Sequence, residues 1–325
     1  MRRLNLSNTA KVLYLKDIPV YDIEKDILLD KQRAPGILQK HASPDLFKMW
    51  LKLRYSSNTN TLARVLKGVT FGQGNRALIN EKTRIFSLSD CYWIADKYDN
   101  TITFENMSPY FNDFWKGVNE YAGEAVPTLY ANGALHKCWL SSTDLYKCGD
   151  NVEIEIECSR LAILCQIPCA EVIKYDKGII VKNFTSKDIM LESIDISGRL
   201  DPDDFDETNI LELFGFDGFR MILTDAIFGN GDRHAGNFGY LRDANTGEYL
   251  SMAPLYDFDH ALDATGLKDY LLLDAIDISK SNKQYKEEAI RISTIIANET
   301  SNEVFRKESL LHIKPFAYKI RNRKE

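Results

Sequence analysis

The sequence predicts an α+β fold in two lobes, a small β-rich N-terminal lobe followed by a mostly helical C-terminal lobe. Its 325 residues suffice for about two domains of ordinary size. Up to about residue 192, apolar residues fall in short runs separated by turn residues, a pattern typical of strands. Later in the chain, apolar residues recur at helical spacing over long stretches. We therefore predict an extension over residues 1–122 that packs on or extends the first lobe, a β-rich lobe over 123–192 and a helical lobe over 193–325.

The composition is that of an ordinary globular protein, with 44% hydrophobic and 27% charged residues. The net charge of −6 argues against a protein that binds nucleic acid over its whole surface, because such proteins carry an excess of Lys and Arg. The six cysteines form no C-x-x-C pair, which favours free thiols in a reducing compartment over a zinc site. In the absence of a signal-type segment or a membrane-length apolar run, we expect a cytoplasmic protein with no direct nucleic-acid or membrane partner.

The first part of the chain combines short strands with helices. Apolar runs at Val12–Leu15 and Ile18–Val20 predict two strands. Ser43 followed by Pro44 is a helix start, with the serine as N-cap and the proline at the first helical position. A second helix is predicted over Thr59–Lys67. The G-x-G-x-x-A spacing that follows is a weak dinucleotide fingerprint, and the lack of alternating strands and helices around it favours a simple turn.

The predicted β-rich lobe has a definite order of elements. A loop containing Asn132 and Gly133 precedes a predicted strand at Cys138–Leu140, and a further short strand begins at Leu145–Lys147. A helix with several glutamates is predicted over Val152–Cys165. A hairpin over residues 170–181 follows it. A glycine loop, a strand with a lysine, an acidic helix and two further strands are the organisation of a kinase small lobe.

The clearest chemical pattern follows a long apolar helix that is predicted to end at Gly229. The next residues are Asn-Gly-Asp-Arg-His-Ala-Gly-Asn, with Asp232 and Asn237 five positions apart. A hairpin with its turn at Asn245–Gly247 then leads to Asp257. Phosphoryl transfer needs one carboxylate near the attacking hydroxyl, and a second carboxylate with an amide oxygen to hold Mg²⁺. An Asn-Gly-Asp sequence alone is ordinary turn chemistry, but spacing, order and the intervening hairpin together favour a catalytic site.

These motifs resemble the HipA-like family of bacterial serine/threonine kinases, including its CtkA-type members. The resemblance lies in Asn-x-Asp-Arg-His-x-x-Asn-x-Gly, in Ala-Pro-Leu-Tyr-Asp-Phe-Asp, and in the acidic helix that ends before Gln166-Ile167-Pro168. It covers roughly Gly123–Leu271, somewhat under half of the chain. The first 120 residues do not resemble the usual N-terminal domain of the family. The resemblance implies a bilobal protein-kinase-like fold.

The resemblance also implies roles for the residues of the loop. Asp232 would orient or deprotonate the substrate hydroxyl, and Asn237 and Asp257 would ligate Mg²⁺. His234 stands where many protein kinases have a lysine, and could either donate to the transferred phosphate or brace the loop. We favour bracing, because an unperturbed histidine is mostly neutral at pH 7. Arg233 would pair with an acidic group or a phosphorylated residue.

For ATP, the resemblance implies that Lys147 contacts the α- and β-phosphates and is held by Glu155. Lys137 is the alternative lysine, ranked second because we expect it in the loop. Glu153 and Glu157 are the alternative acids, and the family spacing favours Glu155. Individually, a solvated lysine or glutamate is as good an interpretation as a functional one. The phosphate-covering loop would consist of Asn132 and Gly133 with Lys137.

The implied activity is ATP- and Mg²⁺-dependent phosphoryl transfer to Ser/Thr hydroxyls of a protein, with autophosphorylation and a small antitoxin-like partner. The family's regulatory loop serine has no counterpart between Thr128 and Lys137, where the nearest serines are Ser141 and Ser142. Two alternatives stay open. Gly-Asp-Arg-His-x-x-Asn also resembles the catalytic loop of phosphatidylinositol kinases, which suggests a lipid kinase. A pseudokinase that binds a nucleotide or a partner without turnover is the other.

Overall fold

The computed structural model of the chain describes residues 11–55, 84–96, 101–112, 136–200, 206–262, 268–303 and 306–307. Helices and strands are mixed along the chain, which confirms the α+β prediction. The strands are β1 (Lys11–Leu15), β2 (Ile18–Asp22), β3 (Ile27–Leu28), β4 (Tyr92–Asp96), β5 (His136–Trp139), β6 (Asp144–Cys148), β7 (Val172–Tyr175), β8 (Gly178–Lys182), β9 (Ile189–Ser193), β10 (Gly239–Asp243) and β11 (Tyr249–Met252). The helices are α1 (Gly36–Lys40), α2 (Pro44–Tyr55), α3 (Phe104–Met107), α4 (Val152–Leu164), α5 (Ile194–Ser197), α6 (Glu207–Phe228), α7 (Lys268–Ser281) and α8 (Lys283–Glu299).

Some predicted features lie outside the described residues. They are the helix at Thr59–Lys67, the glycine turn after it, and the loop residues Asn132 and Gly133. Within the described part of the chain, no helix is long and apolar enough to cross a membrane.

The chain divides into two compact units, each assembled from three segments. The first unit comprises Met1–Cys148, Asn183–Arg199 and Gly239–Ser251. The second comprises Gly149–Lys182, Leu200–Phe238 and Met252–Glu325. The division into residues 1–122, 123–192 and 193–325 stays a prediction.

The first unit contains two small antiparallel sheets and a hairpin. One sheet has the order β3-β2-β1-β4, the other the order β11-β10-β9, and β5 pairs with β6. An aromatic core packs against the first sheet. Trp50 of α2, which is 1% exposed, meets Tyr92 of β4 edge to face at 5.5 Å between ring centroids. Met190 and Ala244 belong to the same core, so β9 and β10 pack with the N-terminal strands.

Helix α2 begins where its sequence predicts. Pro44 is its first residue, and Oγ of Ser43 accepts a hydrogen bond from the Leu46 amide at 3.2 Å. This bond satisfies one of the amides that a helix start otherwise leaves without a partner. The predicted cap is therefore confirmed.

A buried ion pair joins the β11-β10-β9 sheet to the segment before α1. Arg242 of β10 donates to Oε1 of Glu192 of β9 at 2.8 Å, and these side chains are 0% and 4% exposed. Arg242 also donates to the carbonyls of Gln32, Ala34 and Gly247. Glu192 accepts from the Gly36 amide and the Tyr249 hydroxyl. Desolvation of both charges is thus offset by a complete set of hydrogen bonds.

Two glycines make room for this arrangement. A Cβ on Gly36 would stand 2.3 Å from the Ser197 carbonyl oxygen, too close for any other residue. Gly247 has φ +76°, and a Cβ there would stand 2.5 Å from the Gln32 carbonyl oxygen. The predicted turn at Asn245–Gly247 is confirmed, and its glycine also allows the Gln32 segment to approach closely.

The second unit is built around α4, α6, α7 and α8, with the β7–β8 hairpin packed on α4. Its long helix α6 is broken at Gly215, which has φ 53° and ψ −120°. Past that break the helix is almost entirely buried up to Phe228. The ring of Tyr285 on α8 stacks on Phe219 of α6 at 4.2 Å, so these two helices share an aromatic contact. The predicted helix over Val152–Cys165 is confirmed by α4.

We expect Glu192→Gln to lower the free energy of unfolding by about 3–5 kcal/mol, because it leaves the buried Arg242 charge without a counter-charge. Glu153→Gln is the matched control. Its carboxylate pairs with Lys174 at the surface, where both side chains are at least half exposed, so the change should stay within about 1 kcal/mol. Chemical denaturation of the three proteins measures both values. Equal effects of the two substitutions would contradict the structural role of the pair.

Candidate functional site

The candidate catalytic loop starts where α6 ends. Gly229 adopts φ 62°, the left-handed conformation that commonly stops a helix, as predicted. The amides of Gly229 and Asn230 both donate to the Asp225 carbonyl, which fixes the exit of the chain from the helix. From there to β10 the backbone forms no helix or strand. Asp232 lies at the outer side of this loop and its side chain is 51% exposed.

A buried ion pair holds the loop to α6. The guanidinium of Arg233 binds both carboxylate oxygens of Asp225, with Nε at 2.8 Å and Nη2 at 2.9 Å. The side chains are 6% and 5% exposed. Burial by itself would lower the pKa of Arg233, but the charge of Asp225 and its hydrogen bonds raise that pKa. Of the two predicted kinds of partner for Arg233, the structure therefore shows the acidic group, Asp225.

The same guanidinium also holds the segment that follows β11. Nη1 of Arg233 donates to the Asn237 carbonyl and to the Tyr256 carbonyl, each at 2.8 Å. The Tyr256 hydroxyl donates to the Gly236 carbonyl at 3.1 Å. One cation thus ties the backbone of Asn237 to the residue immediately before Asp257. Asp257 itself has φ 62°, a conformation that few residues other than glycine adopt.

The side chains of the loop brace one another. Nδ2 of Asn237 donates to the Asp232 carbonyl at 3.2 Å, and Asn237 is 7% exposed. Nδ1 of the exposed His234 accepts from the Gly236 amide at 3.0 Å. A ring nitrogen that accepts carries no proton, so this contact belongs to the neutral imidazole. It is a bracing contact, and donation by His234 to a phosphate stays a prediction.

The residues proposed for Mg²⁺ have the right chemistry. Because Nδ2 of Asn237 is bound to the loop backbone, Oδ1 is the end of the carboxamide that can serve as a ligand. Asp257 adds a carboxylate, and Mg²⁺ prefers such oxygens. Among the described residues, no group of three His, Cys, Asp or Glu side chains forms a metal site by itself. Asn237 and Asp257 would therefore hold the ion together with substrate oxygens or water.

Both candidate lysines lie on the β5–β6 hairpin. Lys137 and Lys147 are directly opposite each other in the antiparallel register, and they are 3% and 2% exposed. Opposite residues share one face of a sheet, so both side chains emerge on the same side. The expectation that Lys137 sits in a loop is wrong, because it is the second residue of β5. Asn132 and Gly133 lie outside the described residues, so the phosphate-covering loop that they would form stays a prediction.

The three candidate glutamates of α4 have different surroundings. Glu153 is exposed and pairs with Lys174. Glu157 pairs with Arg160 and also accepts from the Ser301 amide at 2.6 Å. Burial would raise the pKa of Glu157, but these hydrogen bonds lower it overall.

Glu155 is 1% exposed, the least exposed of the three. Glu153 and Glu157 have partners within the second unit, and the choice of Glu155 from the family spacing stays a prediction. Lys147 belongs to the first unit and Glu155 to the second. The ion pair between them stays a prediction.

Sequence reasoning did not identify Asp225 or His260. Nε2 of His260 lies 3.9 Å from Oδ2 of Asp232. A signal for Asp225 is present in the sequence, since a single carboxylate within the apolar run Met221–Phe228 requires a partner if the helix is buried. A signal for His260 is its place three residues after Asp257.

We expect Asp225→Asn to lower the free energy of unfolding by about 3–5 kcal/mol and to loosen the loop, because the Arg233 charge is left buried without a counter-charge. Asp217→Asn on the same helix is the matched control. Asp217 is half exposed and 3.7 Å from Arg220, so its loss should cost about 1 kcal/mol at most. Thermal unfolding and amide hydrogen exchange over residues 229–240 check both effects. Unchanged exchange in the Asp225 variant would show that the pair does not hold the loop.

Comparison with known proteins gives a match in fold over almost the whole chain and a local match in sequence. No protein-family model matches the chain. A chain of the Shewanella oneidensis MR-1 toxin–antitoxin complex of HipA, HipB and operator DNA aligns with a TM-score of 0.58 and 15% identity. The alignment covers 95% of this chain and 96% of that one. It therefore extends well beyond residues 123–271, into the N-terminal part whose sequence does not resemble the family. Because that assembly contains DNA, it gives no support to the expectation of no direct nucleic-acid contact.

The serine/threonine-protein kinase CtkA of Helicobacter pylori (strain J99 / ATCC 700824) is 40% identical over 63 residues. The match spans 19% of this chain and 18% of the length of that kinase. The crystal structure of the Helicobacter pylori proinflammatory kinase CtkA aligns over 56% of this chain and 90% of its own, with 18% identity and a TM-score of only 0.36. The chain therefore has the fold of the HipA structure along almost its whole length, and a short stretch of it is similar in sequence to the kinase CtkA.

Proposed function

We propose that the chain is a HipA-like serine/threonine kinase that transfers the γ-phosphoryl group of ATP, with Mg²⁺, to hydroxyls of a protein substrate and of itself. The observation that carries the proposal is the position of Arg233. Its guanidinium holds the backbone of Asn237 and the residue before Asp257 at the same time. The two residues that would ligate the metal are thereby fixed relative to the loop that carries Asp232.

Asp232 has the exposure and position of a catalytic base. Its side chain is half exposed, while its carbonyl accepts from Asn237, so the residue is anchored and its carboxylate still accessible. In the proposed reaction the substrate hydroxyl oxygen attacks the γ-phosphorus and the bond to ADP breaks. The hydroxyl proton passes to the Asp232 carboxylate.

Asn237 and Asp257 would hold Mg²⁺, which when bound neutralises charge on the phosphates. Lys147, positioned by Glu155, would bind the α- and β-phosphates. Asn132 and Gly133 would cover the phosphates, and Lys137 of β5 is the alternative to Lys147 as the phosphate-binding lysine. His234 would keep the loop in shape through its contact with the Gly236 amide.

We expect the purified protein to label itself or a protein substrate with γ-labelled ATP, and EDTA to abolish the labelling. Asp232→Asn should reduce the rate at least ~100-fold, because the amide cannot accept the hydroxyl proton. Asp277→Asn is the matched control, since that exposed carboxylate pairs only with a lysine of its own helix in the described contacts, and it should leave the rate unchanged.

Three results would overturn the assignment. Equal labelling by wild type and Asp232→Asn would exclude Asp232 as the base. Labelling of phosphatidylinositol vesicles but of no protein would identify a lipid kinase. Stabilisation by ATP without any phosphoryl transfer would identify a pseudokinase or a nucleotide-dependent binding module.

A small antitoxin-like protein is the partner we propose, because the fold aligns along almost its whole length with a chain of a HipA–HipB assembly. We expect a small protein encoded next to this chain to co-elute with it in size-exclusion chromatography. The chain alone should not shift a DNA duplex in a gel, whereas the mixture should. Separate elution of the two proteins, or a shift by the chain alone, would contradict this prediction.

A further inference from the structure

The exposed carboxylate of the candidate base has a histidine beside it. Nε2 of His260 lies 3.9 Å from Oδ2 of Asp232, and the side chains are 44% and 51% exposed. Both groups belong to the second unit. They are therefore accessible to a substrate and close enough to act on each other.

The backbone before His260 is anchored to the start of α4, and the backbone after it to the end of α6, which carries the loop. The Asp259 carbonyl accepts from Nδ2 of Asn151 at 2.9 Å, and the Leu262 amide donates to the Phe228 carbonyl at 3.0 Å. Phe258 is 1% exposed and packs edge to face on Phe228. Phe228 is the last residue of α6, only four positions before Asp232. The histidine and the carboxylate are thus both held at one helix end.

A half-exposed carboxylate can rotate, and rotation changes which oxygen faces the substrate. A donor on Oδ2 would fix the carboxylate and leave Oδ1 to accept the hydroxyl proton. The observed 3.9 Å exceeds the usual hydrogen-bond range of about 2.7–3.2 Å. Hydrogen bonds of catalytic groups are often long in the absence of substrate and shorten when it binds. A small movement of the exposed imidazole closes this gap.

We propose that His260 is a positioning residue for Asp232, an inference that rests on the proposed kinase function. The Nε2–H of His260 donates to Oδ2 of Asp232, so that Oδ1 faces the substrate hydroxyl. No proton leaves the imidazole, and the hydroxyl proton passes to Asp232. His234 does not fill this place, because its Nδ1 is bound to the Gly236 amide.

The test compares His260→Ala and His260→Gln with wild type in the full-length protein, using steady-state phosphoryl transfer. His260→Ala should lower kcat roughly 10- to 100-fold, as the loss of a residue that orients a catalytic group does, and should leave the KM for ATP unchanged. His260→Gln should restore most of kcat, since a carboxamide also donates. His41→Ala, an exposed histidine of the first unit, is the matched control and should behave as wild type.

A double-variant cycle separates positioning from a general structural effect. In the Asp232→Asn background, His260→Ala should cause no further loss, because its target is already gone. An additional loss of the same size would overturn the proposal, and so would equal defects in the Ala and Gln variants. A wild-type rate in His260→Ala would overturn the role of His260 alone. Wild-type protein without any phosphoryl transfer would instead overturn the proposed function, and this inference with it.

Discussion

The candidate site depends on the buried ion pair between Asp225 and Arg233. Moving a carboxylate and a guanidinium out of water costs several kcal/mol each, and their attraction offsets that cost only when the other donors and acceptors are satisfied. Arg233 meets this condition through the Asn237 and Tyr256 carbonyls. The shape of the loop is therefore a condition for the stability of the pair. A loop that moved away would leave a buried cation without its acceptors, which is why irregular backbone can keep one conformation here.

The first unit also contains a buried ion pair whose arginine binds backbone carbonyls. Arg242 is bound to Glu192 and to three carbonyls that lie in turns or irregular segments. Arginine suits both positions because its planar fork presents five donors in fixed directions, whereas a lysine ammonium would reach fewer acceptors. In each unit, one guanidinium thus fixes backbone that neither helix nor sheet hydrogen bonds could fix. The difference lies in exposure, since the cluster around Arg242 is closed whereas the loop around Arg233 presents Asp232 to solvent.

Features with a local cause could be predicted from the sequence. The cap at Ser43, the helix end at Gly229 and the turn ending at Gly247 each follow from the conformational preference of one or two residues. The order Asp232, Asn237, Asp257 could be found because each residue lies in a short sequence motif and the two motifs are separated by a single hairpin. Side-chain partners distant in sequence could not be predicted.

Each failure has a physical reason. Lys137 was assigned to a loop because the predicted strand begins at Cys138, whereas β5 begins two residues earlier at His136, and the ends of an element are what a sequence pattern defines least well. The roles of Asp225 and His260 depend on Arg233 and Asp232, which only the folded chain brings close to them. The N-terminal part could not be linked to HipA from its sequence. A sheet requires apolar residues at alternating positions but not particular amino acids, so the same fold can occur at 15% identity.

Burial divides the loop into two edges with different chemistry. Asn237 and the Arg233 guanidinium lie on the buried edge, where low dielectric strengthens every interaction with charge. Asp232, His234 and His260 lie on the exposed edge, where a protein substrate can reach them. A metal ligand benefits from rigidity. A catalytic base must instead be accessible to the hydroxyl of a substrate, which belongs either to another protein or to another part of the same chain. Because Asn237 is only five positions after Asp232 and its side chain binds the Asp232 carbonyl, the chain turns back between them, and the His234–Gly236 contact stabilises that turn. His234 and Arg233 therefore act together on the loop. They keep its buried edge rigid while its outer edge stays accessible to a substrate.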